Sequence, residues 1–195
     1  MNGMKKILVC LVLAVMTASA FAQQEGRMRG SINAGLAIPG IGFGGTTDVQ
    51  LGYNIQDNMN VGVKFATAGM FRANPNEEDG GTLTFAANVN YLATFTYFFN
   101  NGGRFAPFIG CGLGVFRIMG FGFGDESVYV AGGRKFGGLL TAGVEMGRFR
   151  LGVEYNLIPR SELRYAGQTP AVTSIPNSYL GITVGFVIGR GTWGR

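Results

Sequence analysis

The chain has 195 residues, 34 glycines, 12% aromatic residues, no histidine and a formal net charge of +5. That length suits a single domain. Without histidine, and with only Cys10 and Cys111 as thiols, a Ser-His triad and a zinc or copper centre are both excluded. The cations are scattered and form no basic run, so the charge is not a nucleic-acid footprint.

The first residues form a unit of their own. Met1–Lys6 is short and basic, Ile7–Val15 is apolar, and small residues lead to Ala20-Phe21-Ala22. These are the three parts of a secretory signal peptide, with cleavage expected after Ala22. Its apolar core is too short to span about 30 Å of hydrocarbon as an anchor. Almost no apolar segment precedes Cys10, which argues against a lipoprotein site. Residues 23–195 then make up the domain, with 14 basic and 11 acidic residues once Lys5 and Lys6 are removed. Cys111 alone remains, so no internal disulfide can form.

From Met28 onward the pattern has period two, the signature of half-buried strands. The first strand, Met28–Ala37, sets Met28, Ile32 and Leu36 against Arg29, Ser31 and Asn33. A glycine-rich connection, Ile38–Thr46, is expected to follow. The second strand, Thr47–Ile55, puts Val49, Leu51 and Tyr53 opposite Asp48, Gln50 and Gly52. After a turn at Asp57-Asn58-Met59 comes the third, Asn60–Met70, with Val61, Val63 and Phe65 opposite Asn60, Gly62 and Lys64. Arg72–Gly81 reads as a polar connection. The fourth strand, Thr82–Phe99, alternates most clearly, from Phe85 to Phe99 against Asn88, Asn90, Thr94 and Thr96, with Leu92 and Phe98 as exceptions. Asn101-Gly102-Gly103 is a short turn.

The fifth strand, Phe105–Arg117, sets Ile109, Cys111, Leu113 and Val115 against glycines, with Pro107 near its start, where a missing donor is tolerated. Met119–Lys135 reads as a long connection. Leu139–Leu157 then forms a hairpin around Gly147-Arg148, glycine first as a type II′ turn requires. That register predicts Glu145 opposite Arg150 on one face and Met146 opposite Phe149 on the other. Pro159–Asn177 is another long polar segment, and the last strand is Tyr179–Gly189.

Eight strands result, joined by connections that alternate long and short. A soluble sandwich or lipocalin-like barrel has no reason for that alternation, and its outward face would be charged. A membrane barrel has short turns at one end, long loops at the other, and an apolar outer face. The expected fold is therefore all-β: an eight-stranded antiparallel up-and-down transmembrane β-barrel.

Ala106-Pro107-Phe108-Ile109-Gly110-Cys111-Gly112-Leu113-Gly114, Phe136-Gly137-Gly138 through Glu145, and Leu151-Gly152-Val153-Glu154-Tyr155 resemble successive strands of a known group. It is the small outer-membrane β-barrel superfamily of OmpX, OmpW and the OmpA barrel domain, the outer membrane protein β-barrel domain or porin family. The likeness covers most of residues 27–189. It implies outer-membrane localisation, lipid as surroundings, and periplasmic chaperones and the barrel-assembly machinery as partners in biogenesis. Gly181, Val184 and Phe186 are similar to the assembly signal in the last strand of such barrels. The chain departs from the family by running on to Arg195, with Trp193 as a substitute anchor.

Gly40–Gly45 matches G-x-G-x-x-G, but an alternating strand follows it instead of a helix, so it reads as a loop. Glu77-Glu78-Asp79 lacks the spacing of a calcium loop. The inward charges carry more: Arg29, Asp48, Lys64, Glu145, Arg150 and Glu154 all fall on the face opposite the lipid. Buried charges must pair or meet water. An eight-stranded barrel is just wide enough for side chains to fill it, which favours a salt-bridged plug over a pore lining, although the inward glycines leave room for water or a small ligand. No cofactor, metal or catalytic group is implied. The expected role is non-enzymatic, at the cell envelope, through external loops Ile38–Thr46, Arg72–Gly81, Met119–Lys135 and Pro159–Asn177 contacting an unknown surface ligand. The alternative is an OmpW-like narrow channel for small apolar solutes.

Overall fold

The computed structural model describes residues 28–40, 42–73, 83–99, 105–124, 127–163 and 173–189. Eight strands close a barrel: β1 (Met28–Pro39), β2 (Gly42–Gln56), β3 (Met59–Ala73), β4 (Leu83–Phe98), β5 (Phe105–Gly124), β6 (Ser127–Met146), β7 (Phe149–Leu157) and β10 (Tyr179–Ile188). Each pairs antiparallel with its neighbours, and β10 returns to β1. Between β7 and β10 a separate two-stranded sheet joins β8 (Ser161–Leu163) and β9 (Thr173–Ile175). The signal peptide, the Asn101–Gly103 turn, Glu77–Asp79 and Trp193 lie outside the described residues.

The alternation in sequence becomes inside and outside. Met28 (83% exposed), Leu113 and Phe136 point out, whereas Arg29, Lys64 and Glu145 are buried inside. An outer face of this kind is stable only where hydrocarbon replaces water. Register fixes the slant of the wall. The ladder Met28–Tyr53–Val61–Phe95–Cys111–Leu140–Tyr155–Leu180 comes back to β1 at Ile38, ten residues along from Met28. With about 3.3 Å per residue and about 4.8 Å between strands, that offset tilts the strands by roughly 40°.

Two expected loops prove to be strand. Ile38–Thr46 is absorbed by β1 and β2, leaving residues 40–41 as the connection. Gly44 and Gly45 pair with Met70 and Gly69, because backbone pairing needs no side chain and the missing alternation was a poor guide. Met119–Lys135 is likewise absorbed by β5 and β6, which pair as far as Gly124 and Ser127. Arg72 also belongs to a strand, β3. These extensions carry the wall past the expected 9 to 11 residues, up to 20 in β5 and β6.

The Gly147-Arg148 turn forms as the register requires, with Gly147 at a left-handed φ of +63°. It pairs Glu145 with Arg150 and Met146 with Phe149. We call this the turn end, since β1 begins and β10 ends there too. Its opposite is the loop end.

Candidate functional site

The interior is layered along the axis. Nearest the turn end, Phe98, the last residue of β4, packs on Phe108 of β5 with ring centroids 5.8 Å apart. Each ring carries a guanidinium: Arg29 lies 4.4 Å from the Phe98 centroid and Arg150 lies 4.0 Å from that of Phe108. Desolvated cation–π contacts of this kind contribute up to about 2 kcal/mol each. Glu145, 0% exposed, lies between the two arginines. Its Oε1 accepts from Arg29 Nη2 and lies 3.5 Å from Arg150 Nη1. Neither β1 nor β7 reaches this carboxylate by chance: Arg29 is the second residue of β1, and Arg150 the second of β7.

A second set of ions sits deeper. Lys64 Nζ is 2.5 Å from Glu154 Oε1 and 3.2 Å from Asp48 Oδ2. Asn33 Nδ2 donates to the other oxygen of Asp48 at 2.6 Å. Neutral bonds flank this group, Gln50 to Thr94 at 3.1 Å and Asn90 to the Tyr179 hydroxyl at 3.2 Å. Asn88 has both side-chain atoms buried without a protein partner, and so has Oε2 of Glu145. Such atoms call for ordered water where there is room.

Toward the loop end the lumen turns more apolar, with Asn88 and Asn156 as polar members of the layer. Ala37, Ala68, Met70, Leu92, Phe116, Ile118, Leu139, Ile158 and Tyr179 form one buried cluster. Two inward glycines, one at each level of the lumen, leave no open space. A Cβ on Gly137 would run into the Phe116 ring, and one on Gly143 into the Phe108 ring. Each glycine makes room for an aromatic plug. The cavity beside Arg29, Gln50, Asn60, Thr96 and Arg150 measures about 10 Å³, no more than one water needs.

The six charges singled out in the sequence are thus all inside, in two groups of three. The sequence reading missed their aromatic partners. Phe98 had signalled itself by breaking the alternation of β4, and Leu92, the other exception, lies in the apolar cluster. Gly181, Val184 and Phe186 lie on β10, where Gly181 faces in while Val184 and Phe186 face out. The Phe186 ring meets Phe149 edge-on at 6.2 Å. Among the described residues no group of three His, Cys, Asp or Glu could hold a metal.

The family model described as "Outer membrane protein beta-barrel domain" matches residues 8–186. The chain belongs to that family. Membership places it in the outer membrane, in agreement with the apolar outer wall. No curated protein matches it in sequence. Among solved structures, the outer membrane protein OprG from Pseudomonas aeruginosa is similar at 13% identity and a TM-score of 0.52, over 86% of this chain and 98% of that one. Neisserial surface protein A is similar at 16% identity and a TM-score of 0.48, over 83% and 96%. The outer membrane enzyme PagL is similar at 14% identity and a TM-score of 0.43, over 82% and 98%. At these identities the likeness shows the fold alone; activity has to be argued from the site.

Proposed function

We propose that this family member is a non-enzymatic envelope protein. Its barrel is a closed post in the outer membrane, and its loop end meets the surroundings. The observation that carries this reading is the lumen: six enclosed ions of zero net charge lie beneath an apolar plug. Every described inward carboxylate, Asp48, Glu145 and Glu154, is committed to a cation. None is left free as an acid or base, and no histidine can replace it. The cavity of about 10 Å³ beside Arg29 and Arg150 is too small for a solute.

Single-channel recording in planar bilayers tests the reading. The purified barrel should give no current steps above the lipid baseline. Recurrent unitary steps would instead support a narrow channel for small apolar solutes. The outward role rests on β5 and β6, whose paired strands continue seven residues past Arg117. Removing residues 119–132 should leave a heat-modifiable barrel on denaturing gels while abolishing attachment of expressing cells to surfaces. In biogenesis, Gly181, Val184 and Phe186 serve as the signal that the assembly machinery reads. A Phe186→Ala chain should then fold more slowly with that machinery, and at an unchanged rate in detergent alone.

A further inference from the structure

The outer wall has one feature that a lipid-facing surface does not require. Across β1 to β4 two adjacent rows of the ladder are built from small residues. One row is Ala34–Thr47–Thr67, and beside it run Gly45–Gly69–Ala87. They floor a trough of about 370 Å³. Its loop-side bank is a run of rings, Phe43, Phe71 and Phe85, with centroids 6.0 and 5.2 Å apart. Its turn-side bank is Phe65 set edge-on to Tyr91 at 5.5 Å. The hydroxyls of Thr47 and Thr67 bond each other at 2.9 Å. Self-satisfied in this way, they present methyl groups to whatever lies in the trough.

The trough ends at a charge. Val89, which lines it on β4, pairs with Arg117 on β5, and Arg117 pairs directly with Arg134 on β6. Both arginines are exposed on the outer wall. Like charges directly opposite each other on one face of a sheet are destabilising. No carboxylate among the described side chains faces outward on β4, β5, β6 or β7, and neither guanidinium has an ion pair there. An anion from outside the chain would complete the pair.

Height identifies the source. Arg117 lies twelve residues from Phe105 at the turn end of β5, and Arg134 twelve from Met146 at the turn end of β6. At about 3.3 Å per residue and a tilt of roughly 40°, both lie about 30 Å above the turn end. The apolar band of such barrels is about 25 Å tall. The arginines therefore stand at the outer edge of the hydrocarbon, where lipid phosphates lie. The slant also has the right sense. Steps from β1 toward β5 climb to the loop end, so the trough is deepest at Ala34 and shallowest beside Arg117.

We propose that this wall binds one phosphate-bearing glycolipid of the outer leaflet. An acyl chain lies in the trough, tail toward Ala34, and its phosphate bridges Arg117 and Arg134. Bidentate guanidinium contacts suit a phosphate held at a fixed place.

Native mass spectrometry of the full barrel in detergent, titrated with bisphosphorylated lipid A, tests this. The wild-type chain should bind one molecule, and dephosphorylated lipid A should bind more weakly by at least about tenfold, as expected for loss of charge-assisted bonds. The double variant R117Q/R134Q should lose a similar factor. T67L, which fills the trough from the lipid side, should weaken the lipid several-fold while leaving binding of a deacylated, phosphorylated glycan unchanged. Heat-modifiable migration of each variant confirms a closed barrel. Equal affinity for phosphorylated and dephosphorylated lipid, or undiminished binding by both variants, overturns the proposal. A T67L chain that binds lipid normally but loses a dimer overturns it too, by making the trough a contact between copies.

Discussion

The two ion groups inside the barrel are inverses of each other. At the turn end one carboxylate, Glu145, serves two guanidiniums, so the group carries one net positive charge. Deeper in, one ammonium, Lys64, serves two carboxylates, and that group carries one net negative charge. Their environments differ accordingly. The surplus cation rests on the faces of Phe98 and Phe108, whereas the surplus anion is met by the amide of Asn33. Arg150 and Glu154 lie four residues apart on β7, about 13 Å along the strand, so the opposite surpluses also partly compensate each other. Each group depends on its central ion. An outer ion is more dispensable, because removing it leaves a matched pair.

The strongest way to break this symmetry is to remove a centre. Glu145→Gln strands two guanidiniums inside the wall, and Lys64→Met strands two carboxylates. Loss of one partner of a buried pair costs about 3–5 kcal/mol. Urea unfolding of detergent-refolded barrel should show both variants destabilised by that amount. If either unfolds at the wild-type midpoint, the central ion does not hold its group together. Neutralising the whole deeper group, with Lys64→Met, Asp48→Asn and Glu154→Gln combined, should recover much of the loss. Replacing a complete buried ion group is often neutral, and contacting sites are not additive.

An intermediate effect separates the two groups. Phe108→Leu removes the ring beneath Arg150 and leaves a gap against Gly143 and Gly152, where that ring now sits. Loss of a cation–π contact and some packing should cost about 2 kcal/mol. The same substitution at Phe116, whose ring carries no described guanidinium, removes mainly packing. A salt titration of unfolding would distinguish them, since only the Phe108 variant exposes a charged group to screening.

How much of this was legible follows from what sets each feature. The strands and the inward side of all six ions were readable, because a period of two needs only local sequence. Glu145 opposite Arg150 was readable as well, since a two-residue loop fixes register. Across the lumen, the pairing of Arg29 with Glu145 and of Lys64 with Glu154 was not readable. Those contacts link strands 116 and 90 residues apart and depend on the shear of the closed wall. The expected loops Ile38–Thr46 and Met119–Lys135 failed for another reason. In Met119–Lys135 a strand beyond the hydrocarbon no longer needs an apolar face, so its glycine, serine and charge look like loop. In Ile38–Thr46 glycines on both faces hide the alternation while the backbone keeps pairing. Gly137 and Gly143 misled in the same manner, suggesting space where aromatic rings from the neighbouring strand already lie.

The smallest expected effect is the sharpest test of centre against periphery. Asp48→Asn removes an outer carboxylate from the deeper group and leaves Lys64 with Glu154, a neutral pair at 2.5 Å. The new amide oxygen can still accept from Asn33, whose donor now lies 2.6 Å from the carboxylate. What is lost is one longer ion contact, at 3.2 Å, and one surplus negative charge. The stability change should be about 1 kcal/mol or less, against about 3–5 kcal/mol for Lys64→Met. Should Asp48→Asn instead cost as much as Lys64→Met, the two carboxylates act as equals, and the surplus charge is what the positive group at the turn end requires.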